Sequence, residues 1–356
     1  MLDVVSVLKL HAARYPLLQP QDAVKLLYQR AFGCGHLLGE EAGAFLREEL
    51  ARTPAGQAAP LWEPVGGGFC RLSLARAKAV FSPELIERLF RQASRLPVLG
   101  ESLFRQELEE AAQAALAGAF PFSGEAFAAC AAEYQAAGRP IPSHSEPYRQ
   151  AYAPAYRLAD SRLPALTPLL EALEQRRREG KRTLLALEGN AAGGKTTAAG
   201  LLAELYGAPV IHMDSFFLPP ALRTPQRYAQ PGGNIHYERF LPEAAVPLQE
   251  GRPFSYRLFD CSLGDYAGEA QVPAAPLTVV EGVYSLHLKW ASMYHLKAFF
   301  ALSPREQQRR VLARNGEQGW AMFQQKWIPL ENEYFSSFHI PESCDFVLHT
   351  GEDEAF

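Results

Sequence analysis

The sequence predicts a mainly α-helical N-terminal domain over residues 1–178, followed by an α/β domain over 179–356. The second domain is expected to hold a mostly parallel sheet flanked by helices. Up to about residue 178 the apolar residues recur at helical spacing. Beyond it, short apolar runs alternate with helical stretches, the pattern of strands buried on both faces of a parallel sheet. Between the first such run and the helix after it lies a glycine-rich turn, Gly189–Thr196.

In QDAVKLLYQRAF (21–32), Val24, Leu27, Tyr28 and Phe32 share one helical face. Ser82-Pro83 supplies an N-cap and an N1 proline ahead of Leu85, Ile86, Leu89 and Phe90. Ser123 opens a third helix, with Phe127, Cys130, Ala131 and Tyr134 on one stripe and Gly138 past its end. TPAGQAAP (53–60) and PVGGGF (64–69) read as turn-rich connections. The stretch 139–157 is proline-punctuated and aromatic, and is expected to wrap a surface without a regular element. A helix over 165–178 ends in Arg176-Arg177-Arg178, which complement the helix dipole. RTLLALEG (182–189), PVIHMDSFF (209–217), PLTVVEGVY (276–284) and LKAFFAL (296–302) are the predicted strands.

Composition excludes several classes. With 356 residues, 48% hydrophobic and 21% charged, the chain can bury substantial cores and is not a disordered one. The 35 basic and 39 acidic residues give a net charge of −4, which argues against sequence-independent nucleic-acid binding. Cysteines at 34, 70, 130, 261 and 344 form no CxxC pair, so neither a disulfide framework nor a zinc ribbon is expected. Reduced thiols point to the cytoplasm. Asp3 precedes the first basic residue, Lys9, the wrong order for a signal peptide. No apolar run reaches the ~18 residues of a membrane span. A homo-oligomer is compatible with these features.

Gly189-Asn190-Ala191-Ala192-Gly193-Gly194-Lys195-Thr196 fits G-x-x-x-x-G-K-[ST] at every fixed position. Glycines let the backbone turn so that N–H groups point at phosphate oxygens. The following helix, about Lys195–Leu205, adds its positive end. Lys195 is placed for the β- and γ-phosphates, and the Thr196 hydroxyl for Mg²⁺. A nucleotide such as ATP, gripped from Gly189 through Thr197, is the predicted cofactor, although the motif names no reaction.

Two acids add chemistry. Asp214 sits at the carboxyl end of the second apolar run, where open α/β sheets bind ligands. A carboxylate there can take the proton of an attacking hydroxyl or hold the metal through water. Glu281 ends Leu277–Val280, with Gly282 next, and fits the metal side of a nucleotide site.

GNAAGGKTT, MDSFF, VVEGVYSLH, PREQQRRVLARNGEQG (304–319) and the closing KWIPLENEYFSSFHIPESCDFVLHT follow one another in a telling order. Through them, residues 181–350 resemble the uridine kinase and phosphoribulokinase-like family of P-loop small-molecule kinases. The resemblance implies ATP- and Mg²⁺-dependent phosphoryl transfer to a hydroxyl of a small molecule. It implies Asp214 as general base, and Thr196, Asp214 and Glu281 around Mg²⁺. It places Arg309, Arg310 and Arg314 in a lid over the phosphates, with Arg310 and Arg314 as catalytic candidates beside Lys195. It also implies that PGGNIHYERF (231–240) lines the acceptor pocket with Asn234, His236, Tyr237 and Arg239. PFSYRLFDC (253–261) stands where nucleoside kinases of the family read the base. Tyr256 is kept there, but Arg257 follows it, which departs from the nucleoside pattern. Such an arginine suits an acceptor with its own phosphate or carboxylate, or points to solvent on an edge strand. The 215–233 loop, with Arg223, Arg227 and Tyr228, is expected to order on acceptor binding.

A contrasting reading is a nucleotide-binding regulatory or scaffold protein that keeps the fold with little turnover. In the N-terminal half, His36 and Glu40 have a spacing that can share a metal, although a capping turn explains them more simply. Ser143-His144-Ser145-Glu146 with Tyr148, Arg149, Tyr152 and Tyr156 reads as a second ligand site or an interface, with the interface favoured. Trp290, Trp320 and Trp327 are read as core or contact residues ahead of base-stacking ones.

Overall fold

A computed structural model describes residues 3–35, 42–54, 56, 59–260 and 262–351. His36, Glu40 and Cys261 lie outside the described residues. The chain divides into two compact units, one up to Pro164 and one from Ala165 onward. The change in sequence texture at 178 trails this division by one helix. Helix Thr167–Arg178 belongs to the second unit, where its Leu169, Leu170 and Leu173 are buried. Its last turn is tied to the following strand, since Arg176 donates to the Thr183 hydroxyl (2.8 Å) and the Arg182 carbonyl (2.9 Å).

In the N-terminal unit, helices Val4–Arg14, Pro20–Phe32, Gly100–Leu116 and Gly124–Ala136 pool their apolar stripes into one core, with Val7, Leu8, Leu27, Phe104 and Phe127 at its centre. The expected caps form. Ser82 Oγ accepts from the Leu85 amide (3.2 Å) and Ser123 Oγ from the Ala126 amide (3.1 Å). The unit also holds an antiparallel sheet in the order β1 (Trp62–Gly66), β2 (Phe69–Ser73), β3 (Tyr156–Asp160). PVGGGF is thus the tip of a hairpin. Its three glycines all have positive φ, and a Cβ on Gly67 would meet the Arg30 carbonyl oxygen at 2.1 Å. The stretch 139–157 is more regular than its composition suggests. Ser145 caps helix Glu146–Tyr152, and β3 begins at Tyr156.

The second unit holds a five-stranded parallel sheet in the order β10-β9-β4-β8-β5. The strands are β4 (Thr183–Gly189), β5 (Val210–His212), β8 (Leu277–Glu281), β9 (Leu296–Ala301) and β10 (Phe346–His349). Strands β4 and β8 are buried along their whole length, as central strands covered on both faces must be. Phe216, Phe240, Trp290 and Tyr334 fill the core around them. An antiparallel ribbon, β6 (Phe254–Asp260) and β7 (Asp265–Val272), stands apart from the sheet. No helix among the described residues is long and apolar enough to cross a membrane.

Arg30 and Glu107 form an ion pair at 2.5 Å inside the helical core, both nearly inaccessible. Removing one partner of a buried pair strands the other charge, at a cost of about 3–5 kcal/mol. Glu107→Ala is therefore expected to lower the unfolding free energy of the N-terminal unit, read from urea titration, by that amount. A change under about 1 kcal/mol would show that the pair is solvated.

Candidate active site

The phosphate loop is held open by the sheet beneath it. Gly189 ends β4 with φ +136°, and a Cβ there would stand 2.3 Å from the Phe300 carbonyl oxygen on β9. Gly194 turns into helix Lys195–Tyr206 with φ +92°. Ala192 takes a left-handed conformation without being glycine, a small strain of the kind kept at functional loops. The loop carbonyls are taken from outside. Gln307 donates to the Ala191 oxygen (3.2 Å), Arg310 to the Ala192 oxygen (3.3 Å) and Thr350 to the Gly193 oxygen (2.8 Å). The first amides of the helix have no intrahelical acceptor. These first amides stand at the positive end of the helix dipole.

Lys195 Nζ is anchored on the Gly189 and Asn190 carbonyls at 2.8 and 2.9 Å. Thr196 Oγ1 donates to Glu281, 3.2 Å from both carboxylate oxygens. His212, at the end of β5, places Nδ1 2.5 Å from Glu281 Oε1, and that contact holds the imidazole pKa above its ordinary value. Asp214 follows in the 3₁₀ turn Met213–Phe216 that ends β5. It is accessible from the cavity yet surrounded by protein atoms. This partial desolvation, then the Glu281 charge, pushes its carboxyl upward.

Lys195, Thr196, Glu281 and Asp214 line one cavity of about 760 Å³. Ala191 through Thr197, Asp214, Glu281, Arg310 and Arg314 all reach it. The two arginines differ in availability. Arg310 is committed to Glu306, the loop and Thr350, so it braces the loop from outside. Arg314 donates to Asn315 and is otherwise exposed, just before Gly316 breaks helix Pro304–Met322.

Of the six acceptor candidates, Asn234 lines this cavity, and His236, Tyr237, Arg239, Tyr256 and Arg257 do not. Arg239 is buried, donating to the Ser215 carbonyl and paired with Glu243. Tyr256 stacks on Phe216 in the core. Arg257, on the β6–β7 ribbon, pairs with Glu243 and is half exposed. Tyr237 lies under the Arg227 guanidinium, 3.7 Å from its ring centre, and His236 is half-buried nearby. The 215–233 loop contains turns at Pro220–Leu222 and Pro225–Tyr228. Arg227 fastens it through the Gly233 and Ile235 carbonyls.

Two acids that the motifs do not reveal stand against the phosphate loop, and one of them, Glu331, lines the cavity. Glu331 is buried in helix Ile328–Ser337, accepts from the Ala191 amide (3.1 Å), and is pushed up to about 7 by burial. Glu188, one residue before the loop, is fully buried and also raised to about 7 by burial. The signals were present: Glu331 sits at i, i+3, i+4 spacing with Tyr334 and Phe335, and Glu188 interrupts an apolar run. Trp327 and Phe323 line the cavity, while Trp290 is core, donating to the Ser285 carbonyl.

Strand, glycine loop and helix at the carboxyl end of the central strand of a parallel sheet make this a P-loop α/β fold with a phosphate-shaped site. No model of a known protein family matches the sequence, and no curated protein does. Among solved structures, the chain is similar to one described as a possible uridine kinase from Bacillus stearothermophilus. The identity is 15% and the TM-score 0.37, over 47% of this chain and 89% of that one. It is also similar to a chain provisionally described as a fructose transport system kinase from Silicibacter sp. TM1040, at 21% identity and TM-score 0.40 over 49% and 97%. A shikimate kinase from Bacteroides thetaiotaomicron follows at 12% identity and TM-score 0.25, over 47% and 85%. The likeness spans about half of this chain, and the N-terminal half is unmatched.

The raised acids set a pH signature. For Glu188 and Glu331 the folded pKa of about 7 lies above the ordinary 4.5, so the native state holds the extra protons. The stability they contribute is full below 4.5 and is lost as pH climbs to about 7, at no more than about 1.4 kcal/mol per pH unit for each. Melting temperatures of the unliganded chain should fall across that window, and Glu331→Gln should flatten the fall. An unchanged slope in the variant would refute the assignment.

Proposed function

We propose that the second unit is an ATP- and Mg²⁺-dependent kinase that moves a phosphoryl group onto a hydroxyl of a small molecule. The observation that carries this reading is the shared cavity. The phosphate loop with Lys195, the Thr196–Glu281 pair and the Asp214 carboxylate all open onto one space beside Asn234 and aromatic walls. A phosphate-binding protein without transfer chemistry has no need of a raised carboxylate there.

The donor set suits Mg²⁺. Thr196 Oγ1 and the Glu281 and Asp214 carboxylates are hard oxygen ligands. Among the described residues no three His, Cys, Asp or Glu side chains cluster to hold a metal alone. That fits Mg²⁺, which keeps waters and borrows phosphate oxygens instead of filling a protein cage. When bound, it would neutralise phosphate charge. The chain does the rest. Loop amides and Lys195 hold the phosphates, and Asp214 accepts the proton of the acceptor hydroxyl, helped by a pKa shifted toward neutrality. Arg314 supplies positive charge from the broken helix. Phe217, Tyr228, Phe323 and Trp327 keep water from competing as acceptor.

Asn234 supplies the recognition point. Its Oδ1 is buried without a hydrogen-bond partner among the described residues, and the residue lines the cavity. A substrate hydroxyl or amine would satisfy it. The acceptor is thus a small polar molecule with an apolar or planar body, used by a cytoplasmic enzyme.

Two measurements test this. In a screen of alcohol acceptors with ATP and Mg²⁺, some acceptor should raise ADP release above the acceptor-free rate. Asp214→Asn should then cut that turnover by about 10²–10⁴ while nucleotide affinity holds. Equal turnover in the variant would leave a binding protein as the reading. The second concerns His212, which when protonated holds Glu281 and so competes with the metal below its raised pKa. His212→Gln should lower the Mg²⁺ needed for half-maximal nucleotide binding, more at about pH 6 than at about pH 8. No difference at either pH would remove His212 from the metal equilibrium.

A further inference from the structure

The N-terminal unit contains its own cavity, of about 950 Å³, made wholly from its own residues. Arg71, at its floor, is only 2% exposed. Three other arginines line the same cavity, and each has a carboxylate. Arg14 meets Glu63 (3.2 Å), Arg52 meets Glu48 (3.3 Å), and Arg157 meets Glu49. Among the described residues Arg71 meets none. Its partners are neutral. Gln29 Oε1 accepts from Nε (3.1 Å) and Nη2 (2.8 Å), and His11 Nδ1 lies 3.5 Å from Nη1. His11 stays neutral there, since burial and then the Arg71 charge push it down to about 4. Glu63 lends Arg71 a favourable field but is itself engaged by Arg14 and the Tyr15 hydroxyl.

A guanidinium has five N–H donors. Gln29 takes two and His11 at most one, so at least two are left uncommitted by described residues. A buried charge without a counter-ion is costly, and a fold that keeps one at a cavity floor is prepared for an anion. The fork is also held rigid, because the Tyr156 ring stacks 4.4 Å below its carbon. Tyr156 is fixed in turn by His144 Nε2 at its hydroxyl (2.7 Å), and His144 by Asp22 (2.7 Å).

The walls are aromatic. Tyr15, Tyr148 and Tyr152 pack edge-to-face and tilted, with ring centres 4.9–5.2 Å apart, and Phe45 stands at the mouth 62% exposed. An exposed phenylalanine on a cavity rim beside three tyrosines is a surface for a flat apolar body.

We propose that this cavity binds a small ring-bearing anion, whose carboxylate or phosphate docks on the Arg71 fork while its ring lies among Tyr15, Tyr148 and Tyr152. The polar aromatic cluster at 143–156 is then the back wall of a ligand site, the alternative to an interface that its composition offered.

The test uses the full chain and three probes: benzoate, phenyl phosphate and the neutral isostere benzamide, followed by saturation-transfer NMR and thermal shift. At least one anion should bind with a dissociation constant near about 1 mM or below, and benzamide at least about tenfold more weakly. Benzoate against phenyl phosphate separates a carboxylate ligand from a phosphate one. Arg71→Gln should abolish binding. Because loss of Arg71 could unfold the unit, Ala151→Trp, at an exposed lining position, provides an independent block and should also abolish it. Lys195→Ala, which disarms the phosphate loop of the other unit, should leave benzoate binding unchanged. Equal binding of benzamide, no binding of either anion, survival in Ala151→Trp, or loss in Lys195→Ala would each overturn the assignment.

Discussion

The second unit depends on one buried carboxylate. Glu188 accepts from the amides of Gly189 (3.1 Å), Tyr284 (3.2 Å) and Leu286 (3.1 Å), and from the Tyr334 hydroxyl (3.0 Å). These four donors come from the start of the phosphate loop, the turn after β8, and helix Ile328–Ser337. Glu188 therefore fixes where β4 and β8 release their chains, and so where the loop and Glu281 stand relative to each other. Tyr284 is held with φ +77°, a conformation a bulky residue adopts only when its surroundings impose it. Isolating a carboxylate from water costs several kcal/mol. Four converging hydrogen bonds offset part of that, and the proton it tends to keep near neutral pH offsets more.

The same economy of charge governs the cavity above it. Glu331, Asp214 and Glu281 share one cavity, with Lys195 and Arg314 the cations that act on Asp214 and Glu331. Like charges in a partly desolvated space cannot all ionise freely. Burial and mutual repulsion raise Asp214, and burial raises Glu331. Glu281 takes the Thr196 hydroxyl and His212. The site thus sets three acids against a lysine and the amides at the start of helix Lys195–Tyr206. A metal would screen the acids from one another, and phosphate oxygens would take the helix amides.

What could be read from sequence, and what could not, follows from the range of the forces involved. The phosphate loop was legible because local geometry dictates it. Gly189 and Gly194 need positive φ, and Lys195 and Thr196 must follow them directly. Strands β4, β8 and β9 were legible because burial on both faces leaves a continuous apolar run. The N-terminal sheet was not, because β1 and β2 are five residues each, joined by glycines, and acquire meaning only when β3 returns from nearly ninety positions downstream. Three of the acceptor candidates face other partners for a related reason. Arg239, Tyr256 and Arg257 are polar or aromatic residues of the expected types, but Glu243 claims both arginines and Phe216 claims the tyrosine. A motif names residue types. Long-range partners decide which way those residues face.

The arginines show this most clearly. Most in the chain meet a carboxylate or a carbonyl, as Arg310, Arg227 and Arg239 do, and so hold structure together. Composition cannot separate these from the few that serve a ligand. The separation comes from counting partners: a guanidinium that is buried, oriented by neutral acceptors and open to a cavity differs physically from one already neutralised. Arg71 meets that description in the N-terminal unit. Asn234 Oδ1 meets its uncharged equivalent in the other, a buried acceptor left without a donor. Arg71 and Asn234 each sit at a cavity wall. An unpaired polar atom costs the least where a ligand can complete it.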